Sequence, residues 1–431
     1  MLNDHTRHWV RNMILMWISQ LLVMSGFDAA MPFIPQLLRD NFGMIDEHSR
    51  GVCVAIFTFA GAMAYAIFCP IWGSLSDRFG VKIMLLRGSF LTAFFFPLMG
   101  YVTQPWMLIG LRFLTAACAG TTAAANILIV KTAPENKQGF ALGFVGTAVW
   151  AGAMLGHVIG GVVVDLYGYK TTFWVCAILY FISGICCLFA KDAPKVPAVK
   201  PPLSTQAAKI HRYRKGVLPG FTYGVWIMLT LMLIYCFVRR FEGPYVSMLI
   251  ELITGPEKAA FWTGIIGAFT CVGAVLSGLF IGYLADKLKP QLILAPTLTL
   301  ATICLVIMSI TDNLIVLGVV RTLMFFFSGS LYPILQKLLS AATPQRKRGK
   351  VFGWSTTFGN AGAMLATVFS GYTIFLFGTR GVFWASAILT AILIPISLWA
   401  MRKAMNQPYY IAHAEKPWEK KKSEEKTENE A

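Results

Sequence analysis

Six charged residues lie deep inside long apolar stretches of this 431-residue chain: Asp28, Arg112, Arg239, Arg240, Glu242 and Arg321. At the centre of a membrane-crossing helix each costs about 2.5–3.5 kcal/mol on the insertion scale. Charges kept there face the protein interior and mark substrate or proton paths. Asp28 and Glu242 are the carboxylates able to carry a proton, with Asp28 expected to be the main carrier. Burial and a nearby cation pull a carboxylate's proton affinity in opposite directions, and a coupling site needs that competition. Asp28 stands four residues before Pro32 and Arg240 four before Pro244, so the two are counterparts on their helices. Arg239 and Glu242 are three apart on one helix and can pair. His157 titrates between pH 5 and 8 when unperturbed; alone on an apolar helix, it could equally be a packing residue. Four arginines against two carboxylates leave a cationic surplus.

The elements that position these groups follow from composition. Apolar residues make up 56% of the chain and charged residues 13%, against about 25% charged in soluble domains. That excludes a soluble enzyme, a secreted disulfide scaffold and a disordered chain. Stretches of spanning length, about 20 residues, fall at 12–38, 51–72, 83–103, 105–130, 140–166, 171–190, 219–250, 259–285, 291–311, 314–341, 350–377 and 381–401. Runs this long exclude the alternating strands of a barrel. The expected fold is therefore an all-α membrane protein of twelve helices. The first stretch is too long for a signal peptide and lacks a small-residue cleavage site.

The net charge of +17 allows nucleic acid or membrane as partner until its placement is read. Most of the 37 lysines and arginines fall in segments on the side of both termini. That is the positive-inside bias, which predicts cytoplasmic termini in a cell (inner) membrane and no nucleic-acid platform. The Pro-rich, basic segment 191–218 reads as a cytoplasmic linker between residues 1–190 and 219–402, and residues 403–431 as a disordered tail. The nine cysteines lie inside spans without metal spacing, so no metal site is expected. A membrane-embedded enzyme is not expected either, since His157 is the only intramembrane histidine and no paired aspartates occur.

An internal repeat joins the two parts. Asp77 maps to Asp286 and Arg112 to Arg321; Asn126 maps to Gln336, Gly139 to Gly349 and Gly168 to Gly378; Gly152-Ala153-Met154-Leu155 recurs as Gly362-Ala363-Met364-Leu365. Two pseudo-symmetric six-helix halves with a midplane site between them mark a secondary transporter. No Walker loop is present, so no ATP is implied.

The loop Gly73-Ser74-Leu75-Ser76-Asp77-Arg78-Phe79-Gly80-Val81-Lys82 resembles the signature g-x-l-a-D-r-x-G-r-k of the major facilitator superfamily. A degraded copy, Gly282-Tyr283-Leu284-Ala285-Asp286-Lys287-Leu288-Lys289, lies at the matching place. The resemblance implies a conformational latch built on Gly73, Asp77, Arg78, Gly80 and Lys82 with Asp286, Asp77 reaching the start of the eleventh helix. Gly152, Gly156, His157, Gly160 and Gly161 resemble the antiporter motif g-x-x-x-G-P-x-x-G-G of drug:proton antiporters, with His157 in place of proline. This glycine ridge is expected to admit a close neighbour, the eighth span's Gly267, Cys271, Ala274, Gly278 and Gly282 being the expected partner. Met31-Pro32-Phe33-Ile34-Pro35 also resembles the end of the first helix in those antiporters. Arg112 falls where the superfamily's fourth helix carries an arginine linked to proton transfer, and is expected to tune Asp28.

The implied function is proton-coupled export of small amphipathic compounds by a monomer. The resemblance implies alternating access, no cofactor, and protons, substrate and bilayer as partners. A proton symporter importing an organic anion, sugar or peptide is the alternative, which the arginine surplus favours. Asp28, Phe27, Arg239, Arg240, Asn126, Trp150, Arg321 and Gln336 are expected to line the substrate cavity, with Tyr65, Phe241 and Tyr332 as further aromatic walls.

Overall fold

The computed structural model describes residues 2–134, 137–192, 221, 223–288, 290–329, 331–341, 343 and 348–405. Among them every regular element is helical. Ten helices are long and apolar enough to cross a membrane. Two of these, Gln138–Leu188 and Arg348–Met405, are far longer than one crossing needs. A straight 51-residue helix would run about 76 Å, against a hydrocarbon core near 30 Å. Each instead breaks at a glycine with positive φ, Gly168 (77°) and Gly378 (68°), a conformation that side-chain-bearing residues rarely adopt. Each therefore crosses twice, and the count becomes twelve. The expected linker (beyond Asp192) and the tail from residue 406 lie outside the described residues.

Four crossings are discontinuous. The first runs Leu2–Asp28, a 3₁₀ turn Met31–Phe33, then Ile34–Phe42. The seventh repeats this as Tyr223–Arg240, Gly243–Tyr245 and Val246–Thr254. Pro32 and Pro244 lie in these turns, where a missing N–H breaks no helical bond. The fourth pauses between Pro105–Cys118 and Thr121–Thr132 at Gly120, whose φ is 112°. The tenth pauses between Leu314–Ser328 and Leu331–Ala341. Broken crossings recur at every third position, and in transporters such half-helices build the binding site.

Missing side chains bring the crossings together. A Cβ at Gly156 would fall 2.6 Å from the Ser25 carbonyl oxygen, and Cβ atoms at Gly152 and Gly160 would strike the Leu21 and Ala29 carbonyls. Gly152, Gly156 and Gly160 thus seat the first crossing, a partner the sequence did not point to. The eighth, the expected partner, meets the ridge at its other members: Gly264 lies against Gly161, and Gly267 against the His157 ring. The repeat reproduces both contacts, Gly362 packing on the Leu233 carbonyl of the seventh crossing and Gly371 on Ala55 of the second.

The core divides by depth. At the end remote from the termini, one hydrophobic core runs through both halves, from Leu37, Phe57 and Phe96 to Tyr245, Met308 and Phe383. Towards the termini there are two separate cores. Trp9, Met84, Leu128 and Val145 belong to the first half, and Met228, Leu294, Leu335 and Met401 to the second. Gly143, Gly146, Gly278 and Gly353, near that end of their helices, have nothing within 4 Å of a notional Cβ. Among the described residues, the two halves share a core at the distal end and keep separate cores at the end bearing the termini.

Candidate functional site

Asp28 closes the first half-helix. A half-helix ends in unsatisfied carbonyls and partial negative charge, which favours cations and disfavours a carboxylate. Asp28 therefore needs positive neighbours. The charged groups near enough to act on it electrostatically are His157 of the fifth crossing and Arg240 of the seventh. No hydrogen bond or ion pair engages the carboxylate among the described residues. Gly156 lies behind it, where a Cβ would approach the Asp28 Cβ to 3.0 Å. The His157 Nδ1 lies 2.7 Å from the Ala153 carbonyl and donates to it, leaving Nε2 as the ring's free position.

Arg112, expected to tune Asp28, packs against aromatic rings of the first and second crossings. Its guanidinium carbon lies 5.1 Å from the Phe27 ring and 5.7 Å from Phe57, on the side-chain-free face of Gly61. Tyr180 lies near enough to interact electrostatically with both Arg112 and Asp28.

Arg239, Glu242 and Arg321 form a second cluster. The sequence pairs Glu242 with Arg239; the structure gives its closest contact to Arg321, whose Nη1 donates to Oε2 at 2.6 Å, with Arg239 Nη1 at 3.6 Å from Oε1. Both guanidiniums cover the Phe325 ring, at 3.8 and 4.8 Å. A cavity of about 30 Å³ borders Arg239 and Glu242, with Tyr235, Ser328, Ser386 and Thr390 among its lining, room for one water. This cluster is interior to the second half. Glu242 is 2% exposed, and removing its charge would leave two arginines uncompensated.

The other expected lining residues scatter. Gln336 donates to the hydroxyls of Tyr332 (3.0 Å) and Ser355 (3.2 Å). Phe241 is buried in the shared distal core, so it is not a cavity wall in this state. Tyr65 is half-buried, and Asn126 and Trp150 are exposed.

A further ionic group escaped the sequence reading. Glu251 of the seventh crossing lies 2.9 Å from Arg39 Nη1 and 2.9 Å from Arg50 Nη1. Arg39 also pairs with Asp40 at 2.6 Å, and Tyr169 donates to Asp40 at 2.6 Å. Nearby, Gln36 donates to Thr263, and Thr379 donates to Glu47. All of these pairs except Arg39–Asp40 and Tyr169–Asp40 join the two halves, and all lie at the distal end. The sequence shows each as an ordinary loop-proximal charge; only the fold brings them together.

The sequence profile of the Major Facilitator Superfamily matches residues 16–317 and 255–428. The chain belongs to that superfamily. Among similar superfamily proteins is a multidrug resistance protein MdtG of a Rahnella species, 28% identical over 400 residues, which covers 93% of this chain and 96% of the relative. The MdtG of Proteus mirabilis is 29% identical over 388 residues, 90% of this chain and 94% of its own length. Solved structures share the fold. A D-xylose–proton symporter matches with a TM-score of 0.72 at 15% identity, covering 91% of this chain and 97% of its own. A bacterial homologue of the human lysosomal transporter Spinster, inward-facing and occupied, matches with 0.71 at 14%, covering 92% and 98%.

The superfamily's signature loop is described in part. Gly80 takes φ 98°, and the Asp192 carboxylate occupies the place a Cβ would need. The same carboxylate accepts from the Lys82 backbone N–H at 3.3 Å, while Lys82 Nζ donates to the Leu188 carbonyl. Gly73 accepts from the Ser76 hydroxyl at 2.7 Å. The loop is thereby tied to the end of the sixth crossing through Asp192, a residue the sequence reading left out. The side chains of Asp77, Arg78 and Asp286 lie outside the described residues.

Proposed function

We propose that this superfamily member exports small amphipathic compounds in exchange for protons, rocking residues 1–190 against 219–402 about a central site. The observation that carries the reading is Asp28. Its carboxylate ends a half-helix in the first half, within electrostatic reach of Arg240 of the second. Movement of the halves changes the distance between them, so the two states hold a proton with different affinity, and a ligand shifts a population only through such a difference. Similarity along nearly the whole chain to proteins named for multidrug resistance supports drugs as cargo. In this reading both termini are cytoplasmic, the membrane is the cell (inner) membrane, and the state described opens to the cytoplasm. The protein works as a monomer without a cofactor. Asp77 and its loop latch one state, and Glu242 with His157 are secondary proton sites.

Asp28→Asn tests this. In inside-out vesicles given an imposed pH gradient, the variant is expected to lose gradient-driven accumulation of cargo. Undiminished accumulation would refute the assignment. The surplus of intramembrane arginine favours a second reading, symport of an organic anion, which the same vesicles distinguish because cargo would then move with protons.

A further inference from the structure

We propose that the second half holds a structural anion, small and monovalent like chloride, in the cavity between Arg239 and Ser386.

The charges inside the second half do not balance. Arg239 and Arg321 share one carboxylate, Glu242, which lies 2.6 Å from Arg321 and 3.6 Å from Arg239. One positive charge is left over, and Arg240 adds a like charge close enough to act on Arg239. The Phe325 ring beneath both guanidiniums attracts cations through its quadrupole but supplies no counter-charge. A charge held away from water is stable only when it is paired. Arg239 keeps 22% of its side chain exposed, against 2% for Glu242, which gives an ion a way in.

The cavity of about 30 Å³ beside Arg239 lies between the seventh, ninth, tenth and twelfth crossings, and four hydroxyls line it. Three of them donate to backbone carbonyls: Tyr235 to Ser328 at 3.1 Å, Ser328 to Met324 at 2.7 Å and Thr390 to Ser386 at 2.7 Å. The fourth, on Ser386, is 1% exposed and has no acceptor among the described residues. A serine hydroxyl carries one donor, and a buried donor is costly to leave unmet. Arg239 and Ser386 therefore bring donors and surplus charge to one small volume. Glu242 borders the same cavity, and its charge is the one Arg321 already neutralises. A water there would satisfy the hydroxyl and leave the charge. A halide, little larger than a water, satisfies both, and it fastens the seventh crossing to the twelfth.

The repeat shows what the first half puts in the same place. The offset of 210 that matches Phe173 to Phe383 also matches Cys176 to Ser386 and Tyr180 to Thr390; the offset of 212 matches Phe27 to Arg239. Two rings stand where the second half has a guanidinium and a hydroxyl, and Tyr180 stacks on Phe96 at 5.2 Å. The second half has exchanged apolar bulk for a charge, hydroxyls and a cavity.

Purified protein in detergent, moved between gluconate and chloride at fixed ionic strength, tests this through its melting temperature. Chloride and bromide are expected to raise it saturably by a few degrees, as a ligand of the folded state does, while gluconate is too large for the cavity. Arg239→Gln leaves Glu242 to Arg321 alone and should abolish the response. Ser386→Ala should keep the response but raise the half-saturating chloride concentration about tenfold, the scale of one hydrogen bond to a charged group. In wild-type crystals grown in bromide, anomalous scattering should place the ion in contact with Arg239 and Ser386. Equal melting temperatures in chloride and gluconate would overturn the proposal, as would an undiminished response in Arg239→Gln. So would wild-type crystals without bromide at this cavity, a result that decides the matter even if Arg239→Gln does not fold.

Discussion

Glu251→Gln is expected to spring the distal end open and stall transport. Glu251 is the only member of its ionic group contributed by the second half among the described residues; Arg39, Arg50, Asp40 and Tyr169 all belong to the first. Arg50 is 3% exposed, so in the sealed state its charge relies on Glu251. Removing one partner of a buried pair costs about 3–5 kcal/mol, and the partial exposure of Arg39 and Glu251 puts this case near the lower figure. The open state carries little of that cost, because there the arginines meet water. A difference of about 3 kcal/mol shifts the ratio of sealed to open molecules by roughly a hundredfold. Spin labels at Ile45→Cys and Ile315→Cys, exposed distal positions on opposite halves, would report the change as a longer dominant distance. An unaltered distance distribution would show that the apolar core alone seals this end.

The same group shows what a sequence can carry. Twelve crossings were legible because hydropathy is a local sum, and the split of the longest helices agrees with the boundaries expected near Gly168 and Gly378. The two-fold repeat was legible because matching residues recur at a nearly constant offset, as Gly168 and Gly378 do. The broken crossings were not, although Pro32, Pro244 and Gly120 each stand in the sequence. A window of spanning length averages over a three-residue turn, and only the recurrence at every third crossing gives those residues their meaning. Partner choice was lost where it depends on contact across helices. Arg239 is the neighbour of Glu242 by spacing, while Arg321, 79 residues away, is the neighbour in space. The glycine ridge and its contact with the eighth crossing were legible in their small residues, while its contact with the first crossing was not. The first crossing presents backbone carbonyls, which need no sequence signature.

That packing yields the second large effect, in which one substitution has opposite consequences at two positions of one helix. Gly→Ala within a helix normally stabilises by up to about 1 kcal/mol through propensity alone. At Gly146 nothing lies within 4 Å of the new methyl, so Gly146→Ala is expected to raise the melting temperature and preserve efflux. At Gly156 the methyl would stand 2.6 Å from the Ser25 carbonyl oxygen and 3.1 Å from the Ala29 nitrogen. Backbone cannot swing aside as a side chain can, so the first crossing must shift, and overpacking of this kind costs about 1–3 kcal/mol. Gly156→Ala should therefore lower the melting temperature. Gly152→Ala meets the Leu21 carbonyl one turn away and should be destabilised to a similar degree. Only Gly156 also presses on Asp28, whose Cβ would be 3.0 Å from the methyl. Of two comparably destabilised proteins, Gly156→Ala should lose more proton-driven efflux, with the pH dependence of efflux displaced, while Gly152→Ala keeps the wild-type pH profile. Identical profiles in the two variants would mean that the ridge sets only how closely the helices pack, and that Asp28 does not depend on it for its place.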